Sequence, residues 1–379
     1  MKIFHTSDLH LGKRLYEYSL IEDQEYILDK IFEYAQKEKP DALIISGDVY
    51  DKSIPSIEAV VLFDNFIKKI ASLGVSLFIV SGNHDSGERL SFGASLMNQR
   101  GVYISEKYCG KTQCISLNDR YGRVNFYLLP FIKPQWVRQF FDNEILSYTD
   151  AVRCAVDTME IDKDERNILI THQFVTGATR SDSEEITVGG TDNVDGEVFS
   201  DFDYVALGHL HSPQYVGKEN IRYSGTPLKY SFSEERDNKS ITVIDLYEKG
   251  NFKISTLPLI PIRDLVTVKD KYENLMTKGF YEGKSLTSDY VNIILTDEEE
   301  VVDAALKLRT VYKNFMHLEY KNSRSQNSGE ILSPERENKT PLEFFNELFK
   351  MQNSKEMTPQ QSQYFEELAL RVAEVNDEA

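Results

Sequence analysis

The tightest constraint in this sequence is its opening alternation of strand-like and helix-like segments. Lys2 to Thr6 is a short, mostly apolar strand, followed by a helical stretch from Ile21 to Lys37 with Ile27, Ile31 and Ala35 on one face, flanked by Leu28 and Phe32. Pro40 stops that helix, and Ala42 to Ser46 follows as a continuous apolar run of the kind found in a strand buried on both faces. Ile57 to Leu73 then repeats the helical period, with Val60, Phe63, Ile67 and Ile70 on one side, and Val75 to Val80 is another apolar run. A β-α-β-α-β start of this kind predicts an α/β fold with a parallel sheet at its core. Shorter strands are predicted at Asn125 to Leu129, Asn167 to Thr171, Tyr204 to Leu207, Ile241 to Leu246 and Lys253 to Leu257.

Polar residues collect where these strands end. Five segments follow directly on a predicted strand: Asp8-Leu9-His10, Gly47-Asp48-Val49-Tyr50-Asp51, Gly82-Asn83-His84-Asp85, Thr171-His172 and Gly208-His209-Leu210-His211. Functional sites of α/β sheets gather at the carboxyl ends of strands, so the chain delivers Asp, Asn and His to one edge from five places. Carboxylate, amide and imidazole ligands suit Mn, Fe, Zn or Mg rather than a metal that prefers thiolates. Two divalent ions, about 3.5–4 Å apart and sharing one carboxylate, can activate a water and hold the oxygens of a phosphate.

Each segment alone is weak evidence, because short motifs recur by chance. Gly-Asn-His-Asp is stronger, since a structural turn does not call for that histidine. In Gly-His-x-His both histidines share one face of an extended segment. Five of the seven histidines lie in these segments; His5 and His317 sit inside strands and read as structural or surface residues. Asp51 and Asp85 are expected to support a histidine rather than to bind metal.

Pro258 and Pro261 mark a boundary. The first domain is expected at 1–260 and a small α/β unit at 261–320, with strands at Leu265 to Lys269, Tyr290 to Leu295 and Phe315 to Tyr320. Between the last two, Thr296 and Glu299 form a capping-box pattern that predicts a helix carrying Val301, Ala305, Leu308 and Tyr312. Residues 321–339 are polar and read as a linker. In 340–379, Thr340-Pro341 and Thr358-Pro359 open two short amphipathic helices, which either fold back on the core or dock on a partner. The region from Thr176 to Asp195 is polar and glycine-rich and is expected as a loop near the site.

The net charge of -18 argues against binding nucleic acid through a broad basic face. Two divalent ions against the charges of Asp8 and Asp48 nevertheless leave the site locally positive. Three scattered cysteines suit neither a zinc ribbon nor a disulfide framework, and no apolar run reaches the about 18 residues of a membrane span. With no signal-peptide pattern at its start, the chain is expected to be cytoplasmic.

The ordered set Asp-x-His, Gly-Asp-x-x-Asp, Gly-Asn-His-Asp, His and Gly-His-x-His resembles the calcineurin-like metallophosphoesterase superfamily. The flanking segments, His5 to Lys13, Gly47 to Asp51, Ser81 to Ser86 and Tyr223 to Glu234, resemble the bacterial SbcD family of nuclease subunits. The resemblance implies a β-sandwich flanked by helices, with a small α/β capping domain that touches DNA at 261–320 and a helical tail. It implies that Asp8, His10, Asp48 and His211 hold one metal, and that Asp48, Asn83, His172 and His209 hold a second. His84 would stabilise the transition state or protonate the leaving oxygen. The implied cofactors are two Mn2+ ions, with Mg2+ a weaker substitute. The implied activity is 3′-to-5′ exonuclease action on double strands and endonuclease action on single strands and hairpins. The implied setting is an ATP-dependent complex that processes DNA ends in repair, replication and recombination. The tail would dock on the coiled-coil base of an SbcC ATPase, within a heterotetramer built on a homodimer. Two rivals differ in class: a phosphatase or phosphodiesterase for nucleotides or phosphoproteins, and a scaffold without activity. The complete ligand set speaks against the second, and the C-terminal third against the first.

Overall fold

The computed structural model describes residues 1–142, 144–179, 192–322, 341–353, 355–365 and 368. Most of the expected linker, the middle of the expected 176–195 loop and the end of the tail lie outside the described residues. The chain divides into two compact units, Met1–Leu265 and Val266–Ala379, each described by itself.

Twelve strands build the two main sheets of the first unit: β1 (Lys2–Thr6), β2 (Ala42–Ser46), β3 (Ser76–Val80), β4 (Val102–Ile104), β5 (Gln113–Asp119), β6 (Gly122–Leu129), β7 (Arg166–His172), β8 (Tyr204–Gly208), β9 (Gln214–Val216), β10 (Lys218–Tyr223), β11 (Ser240–Leu246) and β12 (Phe252–Pro258). Each sheet has six strands, in the orders β12-β11-β1-β2-β3-β4 and β9-β10-β8-β7-β6-β5. The predicted parallel core is the run β1-β2-β3-β4, and β11 and β12 extend it antiparallel. In the second sheet β6, β7, β8 and β10 are parallel and the two edge strands run antiparallel.

The sheets pack face to face. Ile3, Ala42, Ile44, Phe78 and Val80 of the first meet Phe126, Leu128, Ile168, Ile170 and Ala206 of the second in one buried cluster. Strand side chains alternate between faces, so Phe4, Leu43 and Ile45, also fully buried, point away from this cluster. Helix α1 (Ile21–Glu38) buries Ile27, Leu28, Ile31 and Ala35, and α2 (Ile57–Ser72) packs beside it and against β3. The buried face of α2 is Ala59, Phe63, Phe66 and Ile70; Val60 stays exposed and Ile67 half-exposed. That differs by one position from the face read in the sequence, because apolar residues surround this helix and its period is ambiguous. Beyond the second sheet, α3 (Tyr148–Asp157) buries Ala151, Val152, Ala155 and Val156 against Tyr127, Leu129, Leu169, Val205 and Leu207. Its entry is a capping box between Ser147 and Asp150. The result is a β-sandwich with helices on both outer faces.

His5 is a core residue, held by Tyr204 Oη at 2.9 Å and Ser46 Oγ at 2.8 Å. Burial, helped by the Arg222 charge, lowers its pKa to about 3. The fold therefore keeps it neutral, while the unfolded chain protonates it below the ordinary value of about 6.5. This contribution is intact above that value and is lost as pH falls toward 3, by up to about 1.4 kcal/mol per pH unit. In acid unfolding series, His5→Gln should lose less stability over this window than the parent. Equal slopes would mean that His5 is not the group taking up the proton.

The second unit has a three-stranded sheet, β13 (Leu265–Asp270), β14 (Tyr290–Leu295) and β15 (Asn314–Tyr320), with β14 and β15 parallel. Val291, Ile293, Leu295, Leu308, Tyr312 and Phe315 form its core. The helix predicted from Thr296 is only α4 (Ala304–Leu308). The Thr296 N–H instead donates to Asp270 O, Asp297 accepts from the Tyr272 N–H, and Tyr320 Oη accepts from the Val301 N–H. These tertiary bonds hold the would-be first turn out of the helix. In the tail, α5 (Pro341–Asn353) begins at the expected proline. At the second helix Thr358 and Gln361 exchange bonds of 2.9 and 3.3 Å in a capping box. Phe345 and Phe365 stack with centroids 3.9 Å apart.

Candidate metal centre

Parallel strands of both sheets end at one edge, and there the backbone is unusual. Seven described non-glycine residues have positive φ, and four of them are Asp8 (52°), His10 (42°), Asp48 (48°) and His209 (103°). Such conformations cost about 1–3 kcal/mol each and persist where the surroundings enforce them. Two motif glycines make the convergence possible. A Cβ on Gly208 would lie 1.8 Å from Ser46 O and 2.7 Å from His172 Nδ1; one on Gly82 would lie 2.1 Å from Asp48 Oδ1. Any side chain at either position would push the strand ends apart.

The predicted residues meet here. His10 Nε2 lies 3.3 Å from His211 Nε2, and ligand atoms of Asp8, His10 and His211 lie within 4.8 Å of one another. Asp48 Oδ2 is 3.3 Å from His172 Nε2, 3.8 Å from His10 Nε2 and 3.9 Å from His84 Nε2. Asn83 Oδ1 is 3.0 Å from both His172 Nε2 and His209 Nδ1. Asp8 is tied in by the His209 N–H at 3.1 Å and lies 4.0 Å from His172 Nε2. Asp48 thus sits between the two groups of donors.

The hydrogen bonds decide which nitrogens can face a cation. Ser46 O can only accept, so His172 Nδ1, 2.8 Å away, carries the proton. Its Nε2 then presents a lone pair toward the oxygens of Asp48 and Asn83. Likewise His211 Nδ1 donates to Glu234 Oε1 at 3.2 Å, which turns its Nε2 toward the Nε2 of His10. Lone pairs directed at one another repel unless a proton or a metal lies between them. This donor chemistry fits a pair of divalent cations of borderline hardness.

Electrostatics of the protein alone agree. Burial opposes charge on His172, but Asp48 and then Asp8 outweigh it and raise its pKa to about 9. Burial would raise Asp48, yet the charges of His172 and His10 hold it well below the usual carboxylate range. Asp8 is pushed up to about 6, by burial and by Asp48. His10 is held well below its ordinary value by burial. Positive charge is therefore demanded between Asp48 and His172, where a proton and a metal ion compete.

The supporting residues differ in part from expectation. Asp51 Oδ1 pairs with Lys13 Nζ at 2.8 Å and lies 3.7 Å from His10 Nδ1, while the Asp51 carbonyl accepts from His84 Nδ1 at 3.0 Å. Asp85, expected beside a histidine, instead accepts the backbone N–H groups of Val49, Tyr50 and Gly82 at 2.9–3.0 Å and so shapes the Asp48 loop. Residues outside the motifs complete the support. Glu234, held down to about 2 against its burial by His211 and Lys239, orients His211. Gln24 donates to His10 O at 2.7 Å, and Tyr230 Oη to Leu9 O at 2.5 Å. Glu234 and Tyr230 lie in the segment Tyr223 to Glu234, but no periodicity or spacing there gives their roles. His317 is far from this chemistry in the sequence and lies beside Asn292 in the second unit.

Comparison with known proteins identifies the family. Residues 1–213 match the model of the calcineurin-like phosphoesterases, and residues 261–353 match a model described as the type 5 capsule protein repressor C-terminal domain. The chain is 36% identical over 325 residues to the SbcD subunit of nuclease SbcCD from Staphylococcus epidermidis, covering 84% of this chain and 85% of that one. Among solved structures, a dimetal phosphatase from Danio rerio aligns at 10% identity and a TM-score of 0.40, covering 69% of this chain and 96% of its own. The protein TT1561 of Thermus thermophilus aligns at 14% and 0.39, covering 67% and 98%. With a phosphoesterase match over more than half its length and a relative this similar over most of it, the chain belongs to the calcineurin-like phosphoesterase family, in its SbcD nuclease branch.

Proposed function

We propose that the chain is a two-metal phosphodiesterase that cuts DNA ends and hairpins as the nuclease component of an SbcCD-type complex. The observation that carries the reading is the convergence of His172 Nε2, Asn83 Oδ1 and Asp48 Oδ2 beside the Asp8, His10 and His211 group. Asp8, His10, Asp48 and His211 would hold one cation and Asp48, Asn83, His172 and His209 the other. The mix of imidazole and carboxylate favours Mn2+, with Mg2+ a poorer fit because it prefers oxygen ligands. When bound, such a pair supplies Lewis acidity to the phosphate and lowers the pKa of a water.

The chain's own groups do the rest. Ser46 O and Glu234 fix the tautomers of His172 and His211, so both rings enter the reaction already oriented. His84 donates its Nδ1 proton to the Asp51 carbonyl, leaving a partly exposed Nε2 as its working atom. To act as an acid His84 must therefore carry a second proton, which it gives from Nε2 to the departing sugar oxygen.

Residues 261–320 act as the DNA-facing cap and 340–379 as the tail that docks on the ATPase partner. Exposed Leu348, Tyr364 and Leu368 support that docking. Exposed Ile57, Val60 and Val61 on α2 support a homodimer within a heterotetramer. No described helix is long and apolar enough to cross a membrane. Three free cysteines suit the reducing cytoplasm, where we place the protein.

The test is manganese-dependent cleavage of a hairpin-ended duplex, with and without an ATPase partner, beside plasmid and cyclic-nucleotide controls. Opening of the hairpin with manganese and its loss in chelator are expected. Hydrolysis of cyclic nucleotides with the DNA ends untouched would point to the small-molecule enzyme instead.

A further inference from the structure

The two main sheets of the first unit end in four edge strands, β4, β5, β9 and β12. An edge strand offers its outer N–H and C=O groups to any chain that can pair with them, and proteins usually guard such edges. Three of the four are guarded. β4 and β9 have only three residues each, and the register of β9 shifts between Tyr215 and Val216. β12 carries Lys253 and ends on Pro258. β5 lacks these features. Its seven residues, Gln113 to Asp119, pair with β6 in one unbroken register, with no lysine, no proline and no charge before Asp119.

The register also tells which backbone groups of β5 are open. Only Arg120 and Tyr121 separate Asp119 from its partner Gly122, so that pair must exchange both hydrogen bonds itself. Alternation then commits Gln113, Ile115 and Leu117 to β6 and turns the N–H and C=O groups of Cys114, Ser116 and Asn118 outward. Among the described residues no strand pairs with these outer groups. The side chains are open at the same place. Ile115 and Leu117 lie at the margin of the core between the sheets and, like Tyr103 of β4, are only half-buried.

The sequence of β5 is complementary to itself. In an antiparallel pair centred on Ser116, Ser116 meets its own copy, Cys114 meets Asn118, and Ile115 meets Leu117. Each outward residue then exchanges both backbone bonds, and apolar side chains cover apolar side chains on the core side. No like charges face each other, since Asp119 falls opposite Gln113 and is engaged by Arg166 and the N-terminal amine.

We infer that β5 is a self-association edge, where a second copy of this chain adds its own β5 across a twofold axis and joins the two six-stranded sheets into one. None of these residues takes part in the metal centre, so the inference does not depend on the nuclease reading. One strand pair buries less than the about 1,200 Å2 of a stable interface, so the association is weak and rises with concentration. Where chains already dimerise through α2, this second isologous contact links dimers to one another.

Sedimentation velocity of the full chain should show a mass that rises with concentration beyond that of its smallest species. Ser116→Lys sets two ammonium groups against each other at the axis and should abolish the rise, while the dilute protein keeps its fold by circular dichroism. Ser116→Cys in a Cys114→Ser background should form an intermolecular disulfide under mild oxidation, since paired Cα atoms there stand about 5.5 Å apart. Ser255→Cys in the same background, exposed on the guarded edge β12, is the control. It should crosslink at least about 10-fold more slowly, because it lacks the effective concentration that a formed pair supplies. Should Ser116→Lys fail to fold, the crosslinking comparison decides alone. A single mass at every concentration would exclude the second copy and leave the edge to an extended peptide of another protein. Equal crosslinking at both positions, or a folded Ser116→Lys chain that associates like the parent, would place self-association elsewhere and overturn the inference.

Discussion

Asp48→Asn should abolish phosphodiester hydrolysis and leave the protein unable to hold the proposed pair of cations. Asparagine keeps the size of the side chain and one oxygen but removes the charge, and Asp48 is the group nearest to donors of both sets, 3.3 Å from His172 and 3.8 Å from His10. Loss of a supporting residue typically costs 10–100-fold; loss of Asp48, the proposed shared carboxylate, should exceed that, to at least about 10³-fold in kcat. Bound manganese, measured after gentle desalting, should fall from two per chain to one or none. The metal-induced rise in melting temperature should shrink with it, since a ligand stabilises the fold only as far as it binds. The metal-free protein offers a second readout with its own sign. His172 is raised to about 9 by Asp48, so its stabilising contribution is present below about 6.5 and disappears as pH rises through 9. Asp48→Asn should flatten that alkaline decline. A variant that retained two manganese ions and near-parental turnover would end the account of Asp48 as the bridging group.

How much of this was readable in the sequence follows the physics of each signal. Strands β1, β2 and β3 and helices α1 and α2 are long, apolar and strongly periodic, and they lie within a residue or two of where periodicity puts them. The Asp, Asn and His residues are legible for a different reason. Each follows an apolar strand directly, and polar metal-binding side chains at a strand end have few structural uses. Their burial and convergence are tertiary facts that the pattern only suggests. The edge strand Gln113–Asp119 and its sheet's inner strand Lys218–Tyr223 escape, because strands with polar residues interrupting the apolar ones carry little apolar signal. The pairing of the strands into two facing sheets is set by contacts hundreds of residues apart, such as β1 with β11. Glu234, Gln24 and Tyr230 are invisible for a related reason. They act on the site through hydrogen bonds to His211 or to backbone carbonyls, and no local spacing encodes such bonds. The Thr296 capping box failed where tertiary hydrogen bonds outweighed a local preference worth about 1 kcal/mol.

His84→Ala separates acid catalysis from metal binding. His84 stands close enough to Asp48 and His10 to be counted among possible ligands, its Nε2 3.9 Å from Asp48 Oδ2. Its Nδ1, however, is committed to the Asp51 carbonyl at 3.0 Å, and the ring is less buried than those of His10 and His172. A proton donor needs that access to the leaving oxygen, whereas a ligand is better buried. If the ring is the acid, removing it should leave two manganese ions bound and slow DNA cleavage by about 10²- to 10⁴-fold. The loss should depend on the leaving group. A sugar alkoxide needs a proton to depart, while p-nitrophenolate does not, so hydrolysis of bis(p-nitrophenyl) phosphate by the same variant should fall less than about 10-fold, given that only the proton-transfer share of the barrier is lost. An equal loss on both esters would make His84 a positioning residue, and a loss of bound manganese would make it a ligand. Unchanged DNA cleavage would remove it from the chemistry altogether.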